Sequence, residues 1–390
     1  MIWTLIHIID WMLWIFIAGS VIYVLFFALV SLFSKVSKID KVLEMKNRTK
    51  FLVLFPAYGE DAVILNSSKL FTRQTYPAEY FDTVVISDHM KEETNEELRS
   101  MPLTLLTPVF EKSSKAKALQ FAIANTKGDY DYIVILDADN VVDTDFLVHL
   151  DELISSKDYT AIQCHRCAKN SDNEIAVLDG ISEEINNTIF RKAHNTIGMS
   201  SALIGSGMCF KYRWFKENVN NLTTAGEDRE LEALLLRQGF YIKYEDGINV
   251  YDEKVSNQDN FQRQRLRWMT AQLQCLTSML PYIPQAIKTK NIDYIDKTLQ
   301  QALIPRSILI AVTILLSVIS LIISPMISIK WWVLFLCTFL AITIATPRKL
   351  RKKSIVKSIT TLPKLIWKMC CNIIKIDTSN KDFIHTTHDK

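Results

Sequence analysis

Tyr132-Ile-Val-Ile-Leu136 followed by Asp137-Ala-Asp139 is the stretch that decides the fold. Five apolar residues of strand length end in two acids two positions apart, and the period of two puts both carboxylates on one side of the strand end. Such a pair suits a hard cation: Mg²⁺ or Mn²⁺ binds oxygen and needs only one or two carboxylates beside substrate phosphates. The same letters also make a solvated turn, so they do not stand alone. The pattern repeats upstream. Phe51-Leu-Val-Leu-Phe55 runs into Pro56-Ala-Tyr-Gly-Glu60, and Thr83-Val-Val-Ile-Ser87 ends in Asp88. Three strand ends therefore carry acids, and an open parallel sheet gathers such ends around a ligand crevice, where Glu60 and Asp88 can bond a nucleobase and ribose.

Outward from these strands, Thr160 to Gln163 reads as a fourth. Glu92 to Arg99, Ser114 to Asn125, Asp143 to Ser156 and Gly226 to Gln238 carry helical spacing, with Ser113 and Asp143 as candidate caps. The fold class is α/β, a mostly parallel sheet covered by helices. There is no internal repeat or low-complexity tract.

Two further clusters bear chemistry. Glu227 and Asp228 open a helix, where acids in the first turn already suit the macrodipole; Asp228 can also take a proton from an acceptor hydroxyl as a general base. Gln264-Arg-Leu-Arg-Trp268 places Arg267 to neutralise a diphosphate and Trp268 to stack on a sugar ring, or else serves as an interfacial anchor. Lys117, near a helix start, can approach a phosphate or remain solvated. Cys164-His-Arg-Cys167 has zinc spacing but no second pair. Cys370 and Cys371 sit beside an amphipathic segment, and His385 and His388 are read as tail residues.

Hydrophobic residues make up 49% of the 390, and membrane segments account for the excess. Trp11 to Ser34 is uncharged and long enough to cross about 30 Å of hydrocarbon, without a basic leader or a cleavage site. Ser307 to Ile329 and Trp331 to Pro347, divided by Pro325 and Lys330, read as a hairpin of two more spans. Basic residues follow the first span (Lys35, Lys38, Lys41, Lys46, Arg48, Lys50) and the third (Arg348, Lys349, Arg351, Lys352, Lys353). By the positive-inside rule the middle and C-terminus face the cytoplasm, so the expectation is a multi-pass protein of the cell (inner) membrane. Net charge is only +3 and its basic residues cluster beside the spans, which fits membrane lipids and not nucleic acid. Seven cysteines in a reducing compartment carry no disulfide framework. Gln262 to Ile287 and Leu362 to Ile376 read as amphipathic segments, either interfacial or packed on the domain.

Pro56-Ala-Tyr-Gly-Glu60, Ser87-Asp88, Lys117-Ala-Leu119, Asp137-Ala-Asp139, Gly205-Ser-Gly207, Gly226-Glu-Asp228 and Gln264-Arg-Leu-Arg-Trp268, in this order, resemble the membrane-bound family 2 glycosyltransferases, the group of cellulose, chitin and hyaluronan synthases. The resemblance implies a GT-A fold and inverting transfer from a nucleotide-diphosphate sugar. It places Glu60, Asp88, Lys117, Asp137, Gln264, Arg265 and Arg267 at the donor and Asp139 on the metal. It makes Asp228, with Glu227, catalytic and puts Trp268 and the Gly205, Ser206, Gly207 loop at the acceptor. Two departures stand out: Gly59 where the family commonly has Asn, and His89 where a second acid is usual.

The expected division is an N-terminal span over 1–34, a cytoplasmic catalytic domain over 35–255, interface helices over 256–303, a transmembrane hairpin over 304–347 and a basic, amphipathic tail over 348–390. The expected function is metal-dependent sugar transfer to a glycan or lipid-linked acceptor in polysaccharide or glycolipid synthesis. Three spans suggest a separate export partner if a polymer is made. The competing expectation is a non-catalytic subunit that binds a nucleotide sugar within a polysaccharide assembly.

Overall fold

A computed structural model of the chain describes residues 2–35, 48–224, 226–350 and 361–377. Lys38, Lys41, Lys46, Arg351, Lys352, Lys353, His385 and His388 lie outside the described residues. The strands are β1 (Phe51–Tyr58), β2 (Phe81–Asp88), β3 (Thr104–Leu106), β4 (Tyr132–Ile135), β5 (Val141–Val142), β6 (Ala161–Ala168), β7 (Met208–Lys211) and β8 (Ile242–Asp252). They form one sheet in the order β3-β2-β1-β4-β7-β6-β8-β5. β3, β2, β1 and β4 are mutually parallel, as the apolar runs ending in acids require. The second half is mixed: β7 runs antiparallel to both β4 and β6, β8 is parallel to β6, and β5 pairs antiparallel with β8. The expected mostly parallel sheet thus describes its first half.

The helices in chain order are α1 (Ile2–Ser31), α2 (Ile64–Phe71), α3 (Glu92–Arg99), α4 (Lys115–Asn125), α5 (Phe146–Ser156), α6 (Glu174–Asn186), α7 (Ala193–Thr196), α8 (Tyr212–Asn218), α9 (Glu227–Arg237), α10 (Gln258–Met279), α11 (Ile283–Lys288), α12 (Ile292–Ala302), α13 (Arg306–Ile323), α14 (Pro325–Ala345) and α15 (Leu362–Lys375). Alternation along each strand sorts the core into two faces. Leu52, Leu54, Ile133 and Ile135 face α4, α9 and the end of α10, where Leu119, Leu235 and Met279 are buried. Phe51, Val53, Phe55 and Val134 face α5, with Leu147 and Leu150. Each such side chain, once fully buried, contributes about 1.5–3 kcal/mol.

Two caps differ from expectation. Ser114, not Ser113, caps α4 by accepting the Lys117 N–H at 3.2 Å, and α5 starts at Phe146 with Asp145 before it and no side-chain cap.

Three helices are long and apolar enough to cross a membrane: Trp3–Ser31, Arg306–Ile323 and Pro325–Ala345. The break in the hairpin falls at Ser324, in extended conformation, with Pro325 at the start of α14. Lys330, expected in a loop, lies inside α14. Its ammonium pairs with Asp10 of α1, and Trp331 Nε1 donates to Asp10 at 2.9 Å. A charge of each sign inside helices is tolerated because each neutralises the other.

The spans are fixed to the sheet domain. α6 continues through a π-helical stretch, Asn187–Lys192, into α7. There Ile189 and Ala193 pack on Val24, Phe27 and Ala28 of α1, and the His194 ring stacks on Phe27 at 3.7 Å. Tyr23 donates to Asp296 of α12 at 2.7 Å, beside His194. On the opposite side α15 packs Leu365 and Met369 against Phe261 and Met269 of α10 and Ile308 of α13. Asn372 donates to the Gln262 carbonyl at 2.9 Å. Both amphipathic segments are therefore docked helices, although α15 leaves Trp367 70% exposed on its outer face.

Candidate active site

The carboxyl ends of β1, β2 and β4 open on one cavity of about 1000 Å³. Glu60, Asp88, Asp137, Asp139, Gly205, Glu227, Asp228, Gln264, Arg265, Arg267 and Trp268 all line it. Residues up to 208 positions apart in sequence thus meet, because parallel strands end on one edge and α9 and α10 close over it.

The first turn is built on unusual backbone. Gly59 has φ +62° and its N–H donates to the Asp88 carbonyl at 3.0 Å, joining the ends of β1 and β2. Asn and Gly both tolerate this left-handed region, which accounts physically for Gly at the position. His89 adopts φ +57° and its Nδ1 meets the Asp88 carboxylate at 2.6 Å, so the departure from a second acid supplies Asp88 with a partner.

Asp139 is buried, with both oxygens oriented: Asn140 Nδ2 donates to Oδ1 at 3.0 Å and the Glu253 N–H to Oδ2 at 2.7 Å. Asp137 pairs with Lys115, the first residue of α4. Lys115 Nζ also donates to the Gly205 carbonyl at 2.6 Å and lies 3.5 Å from Glu227. Burial opposes the charge on Lys115, but Asp137, Glu227 and Asp228 outweigh it and hold the ammonium above its ordinary pKa.

Lys117 is not part of the site. It is exposed, and its ammonium donates to the Lys112 carbonyl at 2.6 Å. Positions two apart on a helix point about 200° away from each other. The lysine facing the site is Lys115.

Ser206 and Gly207 also lie behind the cavity wall. Ser206 is buried, bonds Asn140, and its carbonyl accepts from Gln163 Nε2 at 2.9 Å. At Gly207, φ +63°, a Cβ would stand 2.9 Å from Val250 Cγ2. Only Gly205 reaches the cavity, with a Cβ position 3.7 Å from Asp228 Oδ2. The loop thus supports the Asp137–Asn140 turn from behind.

Glu227 and Asp228 begin α9, and they differ. Glu227 is buried; burial pushes its carboxyl up to about 7, with Asp228 and Asp137 adding and Lys115 opposing. Asp228 is half-buried and accepts the Arg229 N–H at 2.9 Å. The more open of the two is the one that can meet an acceptor.

The two arginines of the pentad divide. Arg267 faces Glu227, Asp137 and Asp228, while burial pulls its guanidinium below the ordinary value. Arg265 turns the other way: it pairs with Asp179 of α6 and stacks over Trp268 at 4.3 Å and Phe261 at 4.8 Å. The expected donor role of Arg265 is not supported by this orientation.

A buried ion network that the sequence did not single out floors the cavity. Arg166 Nε donates to Asp252 at 2.7 Å, Lys254 lies 2.7 Å from the same carboxylate, and Arg191 lies 3.1 Å from Glu183. Burial raises the cost of the Asp252 charge, yet Arg166 and Lys254 keep its carboxyl below the usual range. Cys164 and Cys167 fall on different sides of β6, as three-residue spacing on a strand requires: Cys164 is in the core, whereas Cys167 lies beside His165 and Glu184. His165 is satisfied by Glu184 at 3.1 Å and by the Tyr244 hydroxyl.

Residues 132–346 match the profile of Glycosyl transferase family group 2, more than half of the sequence, and the chain belongs to that family. No curated protein matches it significantly in sequence. Among solved structures it is similar to the mannosyltransferase PcManGT from Pyrobaculum calidifontis, solved with GDP-Man and Mn²⁺. The TM-score is 0.56 at 16% identity, over 93% of this chain and 96% of that one, a likeness of fold. TarS 1–349 from S. aureus, solved with UDP-GlcNAc, aligns more loosely, over 85% of this chain and 91% of that one at TM-score 0.44 and 13% identity.

Proposed function

We propose that the protein is an inverting glycosyltransferase that moves a sugar from a nucleotide-diphosphate donor to a glycan or lipid-linked acceptor at the cytoplasmic face of the cell membrane. The single observation that carries this reading is the convergence of Asp137, Asp139, Asp228 and Arg267 on one cavity in a family 2 chain. That a solved GT-A mannosyltransferase of like fold holds GDP-Man and Mn²⁺ supports it.

The residues fit a divalent cation: Asp139 is a buried carboxylate with both oxygens oriented, and Asp137 lies two positions away on the same strand end. A Mg²⁺ or Mn²⁺ held there would supply positive charge against the leaving diphosphate. Arg267 does the same from the protein side, as a buried guanidinium facing the donor end. Glu60 and Asp88, at the ends of β1 and β2, hold the nucleoside. Lys115 fixes Asp137 and the Gly205 carbonyl, and so sets the wall between donor and acceptor. Asp228 takes the proton of the acceptor hydroxyl as its oxygen attacks the anomeric carbon, and the nucleoside diphosphate leaves with the bonding electrons. Trp268, held by Arg265, offers its ring to the acceptor. In this reading the catalytic domain covers 35–255, the helices over 256–303 close it, and 304–347 anchors it.

The test is a panel of UDP-, GDP- and dTDP-sugars with the purified membrane protein and Mg²⁺ or Mn²⁺, read as released nucleotide. One donor is expected to turn over, and Asp228→Asn to lower transfer about 10²–10⁴-fold. Normal transfer by that variant would remove the base assignment.

A further inference from the structure

The cavity does not end at the acids. It continues away from the sheet between α6, α13 and α14, where Ile181, Ile185, Ile310, Ile314, Phe335 and Phe339 line it. The last four belong to α13 and α14, two of the three helices long and apolar enough to span a bilayer. Phe339 is also 62% exposed on the outside of α14, so this arm of the cavity borders the hydrocarbon.

Between the arm and the acids the wall is cationic. Arg265, Arg166, Arg191 and Lys254 pair with Asp179, Asp252 and Glu183. Arg306, the first residue of α13, is a fifth cation and has only neutral partners: the Ser182 carbonyl at 3.1 Å, the Ser182 hydroxyl at 3.3 Å and Asn186 Oδ1 at 2.8 Å. Among the described residues no carboxylate lies within ion-pair distance of it, so five cations meet three carboxylates. Arg306 Nη1, Arg265 Nε and Gln264 Oε1 are buried without a hydrogen-bond partner, and all three residues line the cavity. A buried guanidinium with an idle donor and no counter-ion is costly unless an anion completes it. The excess charge suits a phosphate, and the apolar arm suits a chain attached to it.

We propose that the acceptor is an amphipathic lipid with a phosphate-bearing, hydroxylated headgroup. It enters sideways from the bilayer between α6, α13 and α14, its phosphate against Arg306 and Arg265, its tail along Ile310, Ile314 and Phe339. The headgroup hydroxyl then lies toward Asp228, which takes its proton as the new C–O bond forms and the donor's bond to the diphosphate breaks. This rests on the transferase reading and names its acceptor class.

The probe is dodecyl phosphate, with dodecanol and inorganic phosphate as controls, added to the full chain in neutral-lipid nanodiscs and read by saturable change in tryptophan fluorescence. Wild type is expected to bind dodecyl phosphate at least tenfold more tightly than either control. Arg306→Gln is expected to weaken it about 10–100-fold, the worth of a hydrogen bond to a charged group. Ile314→Trp, which fills the arm and keeps Arg306, should weaken dodecyl phosphate and leave inorganic phosphate unchanged. Equal affinity for dodecyl phosphate and inorganic phosphate, or binding indifferent to both substitutions, would overturn the inference. Donor turnover to water in the same wild-type samples separates the two failures: no turnover with any donor sinks the transferase reading, whereas turnover with indifferent lipid binding sinks only the acceptor.

Discussion

The two ends of the cavity solve opposite electrostatic problems. At the sheet end, Asp137, Asp139, Glu227 and Asp228 outnumber Lys115 and Arg267, so the site has room for a cation and for the phosphates that come with it. At the membrane end, Arg306 exceeds its carboxylate partners and the walls turn apolar. The difference teaches how one cavity is divided: acids from strand ends and from the start of α9 gather at one end and apolar helices at the other, with α10 as the boundary, since Arg267 faces one end and Arg265 the other. The proposed polarity from donor to lipid is thus written into a single helix.

The largest expected effect breaks the membrane end. Asp179→Ala leaves Arg265 buried without its carboxylate, and removing one partner of such a pair costs about 3–5 kcal/mol. The expected outcome is a chain of lowered thermal stability whose midpoint is rescued by Asp179→Glu, measured in detergent. If stability is unchanged, α6 and α10 are not held by this pair.

Next in size is Arg267→Gln, which acts at the sheet end. Loss of a buried positive group facing developing charge is expected to lower transfer about 10²–10³-fold, while Arg265→Gln lowers stability more than the rate per folded molecule. Equal kinetic losses in the two variants would erase the division of the pentad. Smaller still, Lys115→Met is expected to lower transfer about tenfold or more by freeing Asp137 and the Gly205 carbonyl, whereas Lys117→Met changes nothing measurable. Steady-state rates on the donor found by the panel check both.

How much of this was legible from sequence follows from what each signal measures. The strand ends were readable because acids stop an apolar run abruptly: Asp88, Asp137 and Asp139 all reach the cavity. The spans were readable in number because hydropathy integrates over many residues, but not in boundary, since Asp10 and Lys330 cancel each other only in three dimensions. Helix phase was not readable. Lys115 and Lys117 both stand in the first turn of α4 and no local pattern marks which one faces the site, and the pentad gave no sign that Arg265 and Arg267 serve different ends. β7 is four residues long and its pairing is with strands distant in sequence, so no local pattern marks the antiparallel half. Arg306 stood at the edge of an apolar run, where an arginine reads as a membrane anchor, and only its neutral partners show otherwise.

A contrast read as a pH slope, not as a rate, concerns Glu227 and sharpens the difference between the two acids of α9. Its carboxyl ordinarily titrates at 4.5 and burial lifts it to about 7 in the folded chain. Between those values the folded protein holds a proton that the unfolded chain has released, so stability falls as pH rises through this window, by at most about 1.4 kcal/mol per pH unit for one proton. Below about 4.5 both states are protonated and the contribution is fully present; above about 7 it is gone. Glu227→Gln cannot ionise and is expected to flatten that part of the slope, while Asp228→Asn, which removes one of the charges that raise Glu227, narrows the window without abolishing it. Thermal midpoints of the three proteins from pH 5 to 8 decide the matter. An unaltered slope in Glu227→Gln would mean that Lys115 keeps Glu227 ionised throughout, and that the deeper acid of the pair is a fixed charge of the donor site instead of a group that exchanges protons.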